Sequence, residues 1–185
     1  MNMAKLIYIT NASLDGYVED ASGAFDWIIA DQVHAFITEL VRPIGTHLYG
    51  RRLYQTMAYW DAPVESYPLQ HRDFARVWQT AGKIVFSRTL TSATTRNTRV
   101  ERNFDPAAIR KLKSESEHDI SIGGAELAGV GLDADLVDEC HLFLNPVVVG
   151  GGKPAFTPGL RRNLELIETR RFGSGVVHVR YRVRS

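Results

Sequence analysis

Short runs of β-branched and apolar residues alternate with helical patterns along most of this 185-residue chain. This alternation restricts the possible folds more than any other feature of the sequence. Because strands joined through helices pair in parallel, it predicts a largely parallel sheet covered by helices on both faces. The strand candidates are residues 5–11, 46–49, 83–87, 98–102, 119–122, 139–144, 164–172 and 176–183. The helix candidates are residues 31–42, 68–81, 106–116 and 125–132.

The carboxyl-terminal segment departs from this alternation. In LELIETRRFGSGVVHVRYRV, two alternating runs are joined by Gly173-Ser174-Gly175, where glycine allows the positive φ of a tight turn. We therefore predict an α/β fold with a mostly parallel central sheet, helices on both faces and an antiparallel carboxyl-terminal hairpin. The length, without repeats or long linkers, predicts a single domain over residues 1–185.

Composition excludes several classes of function. The formal net charge of +1 gives no general attraction to nucleic acid or to a membrane surface. Cys140 is the only cysteine and lies in a strand-like segment, so we expect a small core residue and no disulfide. The six histidines show no metal-ligand spacing, and no metal is expected. Without a signal-peptide pattern or a membrane-length apolar run, the expected location is the cytoplasm.

Two adjacent glycines follow a predicted strand and precede a predicted helix in ISIGGAEL. Ligands of open α/β sheets bind beyond the carboxyl ends of the strands, and a helix amino terminus there suits a phosphate. Because Gly123 and Gly124 have no side chains, an anion could approach the backbone closely there. A plain tight turn explains the doublet equally well.

Two further predicted strands end in residues that suit a phosphate. Gly50-Arg51-Arg52 follows the second strand, and Ser87-Arg88 follows the third. Guanidinium groups and a hydroxyl are typical ligands of a phosphate monoester. Three such strand ends in succession indicate a dinucleotide with an additional phosphate, although GxGxxG and GxxxxGK[ST] are both missing from the sequence.

The chain resembles the dihydrofolate reductase-like superfamily and, within it, the riboflavin-biosynthesis reductase domain (RibD C-terminal domain-like). The resemblance covers nearly the whole chain, and its most specific part is the last of the matching segments. These segments are ITNASLDGYVED, FDW, LYGRRLY, KIVFSRTL, ISIGGAEL and LVDECHLFLNPVVVGGGKPAF.

The resemblance implies NADPH as the cofactor, bound along the strand ends. It assigns the adenosine side, the 2′-phosphate, the pyrophosphate and the nicotinamide to successive strand ends, with the loop at residues 13–16 closing over the nicotinamide. The cofactor-binding residues expected on this basis are Asn11, Ala12, Gly50, Arg51, Arg52, Ser87, Arg88, Gly123, Gly124 and Ala125.

Catalytic and substrate residues are assigned less directly. Asp15, in a glycine-flanked loop, and Asp31, at a predicted helix start, are the candidates for proton handling; a turn residue and a helix cap are the alternatives. Trp27 and Tyr54 could stack on a heterocycle, with burial in the core as the alternative. The segment NPVVVGGGKPAF is expected near the substrate mouth or at a subunit contact.

The resemblance implies an NADPH-dependent reductase acting on a pyrimidine or pteridine-like compound, most like 5-amino-6-(5-phosphoribosylamino)uracil reductase. The zinc deaminase signature that sometimes precedes this domain is missing, which indicates a stand-alone reductase. Dihydrofolate reductase-type activity is one alternative, although Leu53 and Ala128 depart from the folate pattern. A catalytically silent nucleotide-sensing homodimer is the other, and a homodimer is expected in either case.

Overall fold

The computed structural model describes residues 3–28 and 33–184 and contains an eight-stranded sheet. The strands follow the order β5-β4-β3-β6-β1-β7-β10-β9. The first six in this order pair in parallel, whereas β10 runs antiparallel to both β7 and β9. Their bounds are β1 Leu6–Ser13, β3 Ile44–Gly50, β4 Gly82–Phe86, β5 Thr98–Glu101, β6 Asp119–Gly123, β7 Glu139–Asn145, β9 Asn163–Arg171 and β10 Val177–Arg184. The predicted fold is confirmed, and each predicted strand is present within two residues of its expected bounds.

Within the described residues, five α-helices cover the two faces of the sheet. They are α1 His34–Val41, α2 Arg51–Met57, α3 Arg72–Thr80, α4 Pro106–Glu115 and α5 Ala125–Asp133. The predicted helix 68–81 is a 3₁₀ turn at Leu69–His71 followed by α3. Asp105 caps α4 as predicted, because its Oδ1 accepts a 2.9 Å hydrogen bond from the Ala107 N–H. The first residues of predicted helix 31–42, and Asp31 with them, lie outside the described residues.

The core is divided by the sheet because successive side chains of a strand point to opposite faces. On one face, Leu6 and Tyr8 pack with α4 and α5. On the other face, Ile7 packs with α1, α2 and α3, where Trp78 is the largest fully buried side chain. Cys140 is buried in the first of these clusters, as predicted.

Helix α2, which follows β3 directly, was not predicted from the sequence, and neither were the short 3₁₀ helices at Ala58–Asp61 and Val64–Ser66. Also not predicted was a small antiparallel ribbon formed by β2 (Tyr17–Asp20) and β8 (Gly152–Pro154). This ribbon places the glycine-rich segment after β7 next to the loop after β1. No helix in the two described ranges is long and apolar enough to cross a membrane.

Candidate active site

The strand ends that were predicted to bind phosphate lie side by side. In the sheet, β4, β3, β6 and β1 are consecutive neighbours and run in parallel, so their carboxyl ends meet at one edge. Ser87 follows β4, Gly50 ends β3, Gly123 ends β6 and Asn11 lies near the end of β1. The sequence prediction that these positions converge is therefore confirmed for the strand ends themselves.

A cavity of about 490 Å³ lies at this edge, and we call it the strand-end cavity. Its wall combines residues of three strand ends with the first turns of α2 and α5. The residues are Gly50, Arg51, Arg52, Leu53, Phe86, Ser87, Gly124, Ala125, Glu126, Leu127, Val130 and Lys153. Six of the ten predicted cofactor residues are among them.

Two helices begin at the strand-end cavity with glycine at the N-cap. Gly50 precedes α2 and Gly124 precedes α5, and neither position offers a side-chain cap. The first backbone N–H groups of an uncapped helix have no intrahelical acceptor and carry partial positive charge. A Cβ built on Gly124 would lie 3.9 Å from the Gly50 backbone nitrogen, so the two helix starts are adjacent. The arrangement suits an anion placed between them.

The two glycines of the doublet are bare for different reasons. Gly124 has a φ of +89°, which side-chain-bearing residues rarely adopt, and the space around it is open. At Gly123, by contrast, an added Cβ would meet Leu53 Cδ2 at 2.5 Å. A side chain at Gly123 would therefore have to displace the Leu53 side chain, which is a second reason for glycine there, and the expectation that the doublet lacks side chains for a diphosphate stays a prediction.

The polar end of the strand-end cavity is ordered by a short hydrogen-bond network. The Arg51 guanidinium donates to Thr89 Oγ1 at 2.9 Å. Ser87 Oγ accepts from the Leu90 N–H at 3.0 Å and so holds the turn after β4. Arg88 is exposed beside this turn and is not a wall residue of the cavity. A guanidinium and two hydroxyls thus stand together at the end of β4.

A second cavity of about 360 Å³, which we call the sheet-face cavity, lies between the sheet and helices α1 to α3. Its walls are mainly apolar and include Ile9, Ile37, Val41, Met57, Phe74 and Trp78. Its polar wall residues are Thr10, Asn11, Glu19, His47, Arg52, Thr56, Ser121 and Lys153. It shares Arg52, Leu53, Gly124, Ala125 and Lys153 with the strand-end cavity, so the two cavities adjoin.

Charged residues stand where the cavities adjoin. Lys153, on β8, forms a 2.9 Å ion pair with Glu126 and lies 4.0 Å from Glu19 on β2. A hydrogen bond from Lys153 lowers the pKa of the exposed Glu126 carboxyl. The sequence analysis did not assign Lys153 or Glu19, although the expectation that NPVVVGGGKPAF lies near the substrate mouth or at a subunit contact was a signal for the lysine. Of this segment, Lys153 lines both cavities.

The two predicted nicotinamide-side residues differ in position. Asn11 lines the sheet-face cavity, and its buried Oδ1 has no hydrogen-bond partner among the residues that the structure describes. Ala12 is fully buried and lines neither cavity. The loop after it turns at Gly16, where the backbone N–H donates to the Ser13 carbonyl.

Asp15 is hydrogen-bonded to the backbone of the neighbouring loop. Its exposed carboxylate accepts hydrogen bonds from the N–H groups of Val149 (3.1 Å) and Gly150 (2.8 Å). Together with the Ser13 side chain, which has the largest effect, these bonds lower the pKa of Asp15. Asp15 lines neither cavity, so the structure gives the alternative role, a loop residue, more support than proton handling.

The two predicted stacking residues also lie outside the cavity walls. Tyr54 is 2% exposed, and its hydroxyl accepts from the Thr94 N–H at 2.9 Å, which fixes the loop after β4. Trp27 is half-buried and donates from Nε1 to the Ala24 carbonyl at 3.3 Å. Its neighbours Phe25 and Ile28 line the sheet-face cavity instead. For Tyr54, burial in the core is the role that the structure supports.

The fold and the joined cavities at its strand ends define a dihydrofolate reductase-like domain. The chain belongs to the RibD C-terminal domain family, whose model matches residues 4–178. It is 33% identical over 183 residues to the uncharacterized protein YyaP of Bacillus subtilis (strain 168), covering 98% of this chain and 96% of that protein.

Two solved structures share the fold. One is a putative riboflavin biosynthesis protein from Shewanella sp. PV-4, with a TM-score of 0.77, 20% identity and coverage of 98% of this chain and 99% of that one. The other is a pyrimidine reductase-like protein from Corynebacterium diphtheriae, with a TM-score of 0.69, 15% identity and coverage of 98% and 92%. At these identities the likeness shows the fold alone.

Proposed function

We propose that this protein is an NADPH-dependent reductase of a small heterocyclic compound, most like 5-amino-6-(5-phosphoribosylamino)uracil reductase. The observation that carries the proposal is the shared wall of the two cavities. A long anionic ligand in the strand-end cavity would reach Gly124 and Ala125, where the sheet-face cavity begins. Membership of the RibD C-terminal domain family supports the same activity.

The residues present suit NADPH. The uncapped start of α5 at Gly124 would hold the diphosphate through backbone N–H groups. Arg51 and Ser87 would hold the 2′-phosphate, because a guanidinium and a hydroxyl stand together there. Asn11 would face the nicotinamide side, where its buried Oδ1 lacks a partner within the described ranges. When bound, NADPH supplies a hydride.

The chain itself supplies orientation and a dry surface. Ile37, Phe74 and Trp78 give the sheet-face cavity an apolar wall, and a substrate bound against it would leave little room for water beside the reacting atoms. Lys153 and Arg52 stand at the mouth beside Glu19 and Glu126, so charged groups of both signs are available there to a polar tail of the substrate. Asp31 lies outside the described residues and stays the candidate for proton handling.

Cofactor choice tests the proposal directly. Titration by NADPH fluorescence should show that NADPH binds more tightly than NADH, and Arg51→Ala should weaken NADPH binding about tenfold while leaving NADH unchanged. Arg88→Ala, a change in the exposed neighbour of Ser87, shows whether that guanidinium also contributes. Arg76→Ala removes an exposed arginine of α3 and serves as the matched control. Equal binding of NADPH and NADH by the unmodified protein would contradict the proposal.

Turnover separates the proposed enzyme from its alternatives. NADPH oxidation should be measured with ribosylaminopyrimidine substrates and with dihydrofolate. Oxidation with the first group supports the riboflavin-type reaction, and oxidation with dihydrofolate supports the folate-type reaction. NADPH binding without oxidation of any substrate would favour the catalytically silent nucleotide-sensing homodimer.

A further inference from the structure

One part of the sheet-face cavity is formed by a segment without lysine or arginine. Residues 6–41 contain six Asp and Glu residues and no Lys or Arg. The wall residues from this segment are Ile9, Thr10, Asn11, Val18, Glu19, Phe25, Ile28, Ile37 and Val41. Glu19 is the one acid among these wall residues, and the others are apolar or neutral. An anion that entered the cavity would therefore meet apolar, neutral or acidic groups on this part of the wall.

The part of the wall formed by β3 and β6 is uncharged as well. His47 Nδ1 and Ser121 Oγ are 2.6 Å apart and share a hydrogen bond. Burial, reinforced by the Lys83 ammonium, lowers the pKa of His47 to about 3, so the imidazole is neutral near pH 7. The Lys83 ammonium donates to the carbonyls of Trp78 at 3.0 Å and Ala81 at 2.9 Å, and Lys83 lines neither cavity.

The cations of the sheet-face cavity stand where it adjoins the strand-end cavity. Within the described residues, its lysine and arginine wall residues are Arg52 and Lys153, and both also line the strand-end cavity. Lys153 is paired with Glu126 at 2.9 Å and lies 4.0 Å from Glu19. The start of α5 at Gly124, which also suits an anion, is shared by both cavities in the same way.

NADPH bound as proposed would take these shared groups, because its diphosphate would lie at the start of α5. A phosphate on the substrate would then be buried against the uncharged wall, and an unpaired buried anion costs much free energy. Beside the diphosphate it would meet a like charge, and at the mouth it would face Glu19 and Glu126. Each of these positions is unfavourable for a phosphorylated substrate.

We infer that the substrate bound in the sheet-face cavity is uncharged and carries no phosphate. The inference rests on the proposed function, because it concerns the compound that this reductase would reduce. It keeps the hydride transfer but distinguishes this chain from a reductase of 5-amino-6-(5-phosphoribosylamino)uracil itself. The apolar wall would hold the body of the substrate. The paired charges of Lys153 and Glu126 suit hydroxyl groups, which both donate and accept hydrogen bonds.

Two compounds that differ only in a phosphate test the inference. NADPH oxidation should be measured with 5-amino-6-(5-phosphoribosylamino)uracil and with the same compound after a phosphatase has removed its phosphate. The phosphate-free compound should give a kcat/KM at least about tenfold higher. An equal or higher kcat/KM for the phosphorylated compound would overturn the inference.

A second pair of compounds decides the question if neither of these is oxidised. Calorimetric titration of the NADPH-saturated protein with α-naphthol and α-naphthyl phosphate compares one apolar body without and with a phosphate. The naphthol should bind, and the phosphate ester should bind at least about tenfold more weakly. Equal or tighter binding of the ester, or no binding of the naphthol, would overturn the inference. Absence of NADPH binding would instead contradict the proposed function, so the two failures are distinguishable.

Removal of the acid from the cavity wall tests the electrostatic argument. Glu19→Gln should strengthen the binding of α-naphthyl phosphate about threefold and leave that of α-naphthol unchanged. Asp26→Asn removes an exposed acid of the same segment that lines neither cavity, and it is the matched control. An equal gain in both variants, or no gain in Glu19→Gln, would contradict the exclusion of phosphate by charge at this wall.

Discussion

At the scale of single residues, Gly123 and Gly124 show how one short motif can combine two constraints. Gly124 adopts a φ of +89° at the N-cap of α5, so its restriction is conformational. Gly123 is restricted by the side chain of Leu53, which comes from a different element. A substitution would therefore strain the backbone at Gly124 and displace the Leu53 side chain at Gly123.

Gly124→Ala should lower the free energy of unfolding by about 1–3 kcal/mol, because alanine at this φ is strained even though space for its methyl group exists. Gly50→Ala is the matched control, since Gly50 is also an N-cap glycine beside the cavity but has a φ of −74°. It should cost less, about 0.5–1 kcal/mol, because alanine is a poorer N-cap than glycine but is unstrained at this φ. Urea unfolding measures both, and equal losses would contradict the conformational argument.

The candidate site could be predicted only in part because its residues have different origins. Gly50, Ser87 and Gly124 follow strands, and a parallel sheet brings such positions to one edge whatever the details of packing. His47 and Ser121 instead meet through the register of β3 and β6, which the sequence alone does not specify. Their polar character inside two apolar strands was the available signal.

At the scale of elements, the length of the apolar pattern decided what could be predicted. The eight strands of the main sheet carry four or more residues of alternating or apolar character, which is sufficient to recognise them. Helix α2 has seven residues, of which only Tyr54 is buried, and so lacks a full amphipathic pattern. The ribbon strand β8 has three residues and depends on pairing with β2.

The edge strand β9 carries exposed apolar residues that could form the interface of the proposed homodimer. Leu166 is 53% exposed and Ile167 37% exposed on this strand, and exposed apolar residues on a sheet edge favour pairing with another chain. Light scattering should give twice the 20.7 kDa chain mass for the unmodified protein and the single mass for Leu166→Lys. Leu69→Lys, at an exposed leucine beside α3, should remain dimeric. A monomeric unmodified protein would contradict the proposal.

At the scale of the whole molecule, charge and burial are distributed over two regions of one sheet. The candidate active site occupies the carboxyl ends of the parallel strands. At the start of β7, the buried Glu139 carboxylate accepts from Arg180 and Lys5. Burial alone would raise the pKa of Glu139, but these two cations outweigh it and lower the pKa to about 2. The stability that Glu139 contributes is therefore lost only as the pH falls from about 4.5 toward 2.

Buried histidines should make the protein lose stability in a higher pH range than the one in which Glu139 is protonated. Burial, with the neighbouring His141, lowers the pKa of His178 to about 4, and that of His47 is about 3. In the unfolded chain both groups bind a proton near pH 6.5, so protonation favours unfolding as the pH falls below that value. Each histidine should remove about 1 kcal/mol of stability between pH 7 and pH 5.5.

Urea unfolding across that range measures the effect, and removal of one histidine separates its contribution from the rest. His178→Phe should reduce the pH dependence of the unfolding free energy, because phenylalanine has no proton to gain and suits the contacts with Phe36 and Phe143. His118→Phe, at an exposed position, should leave the pH dependence intact. If His178→Phe keeps the full pH dependence, His178 is not held neutral by burial. The same urea titration of His47→Phe tests whether the His47 imidazole is held neutral, independently of any ligand.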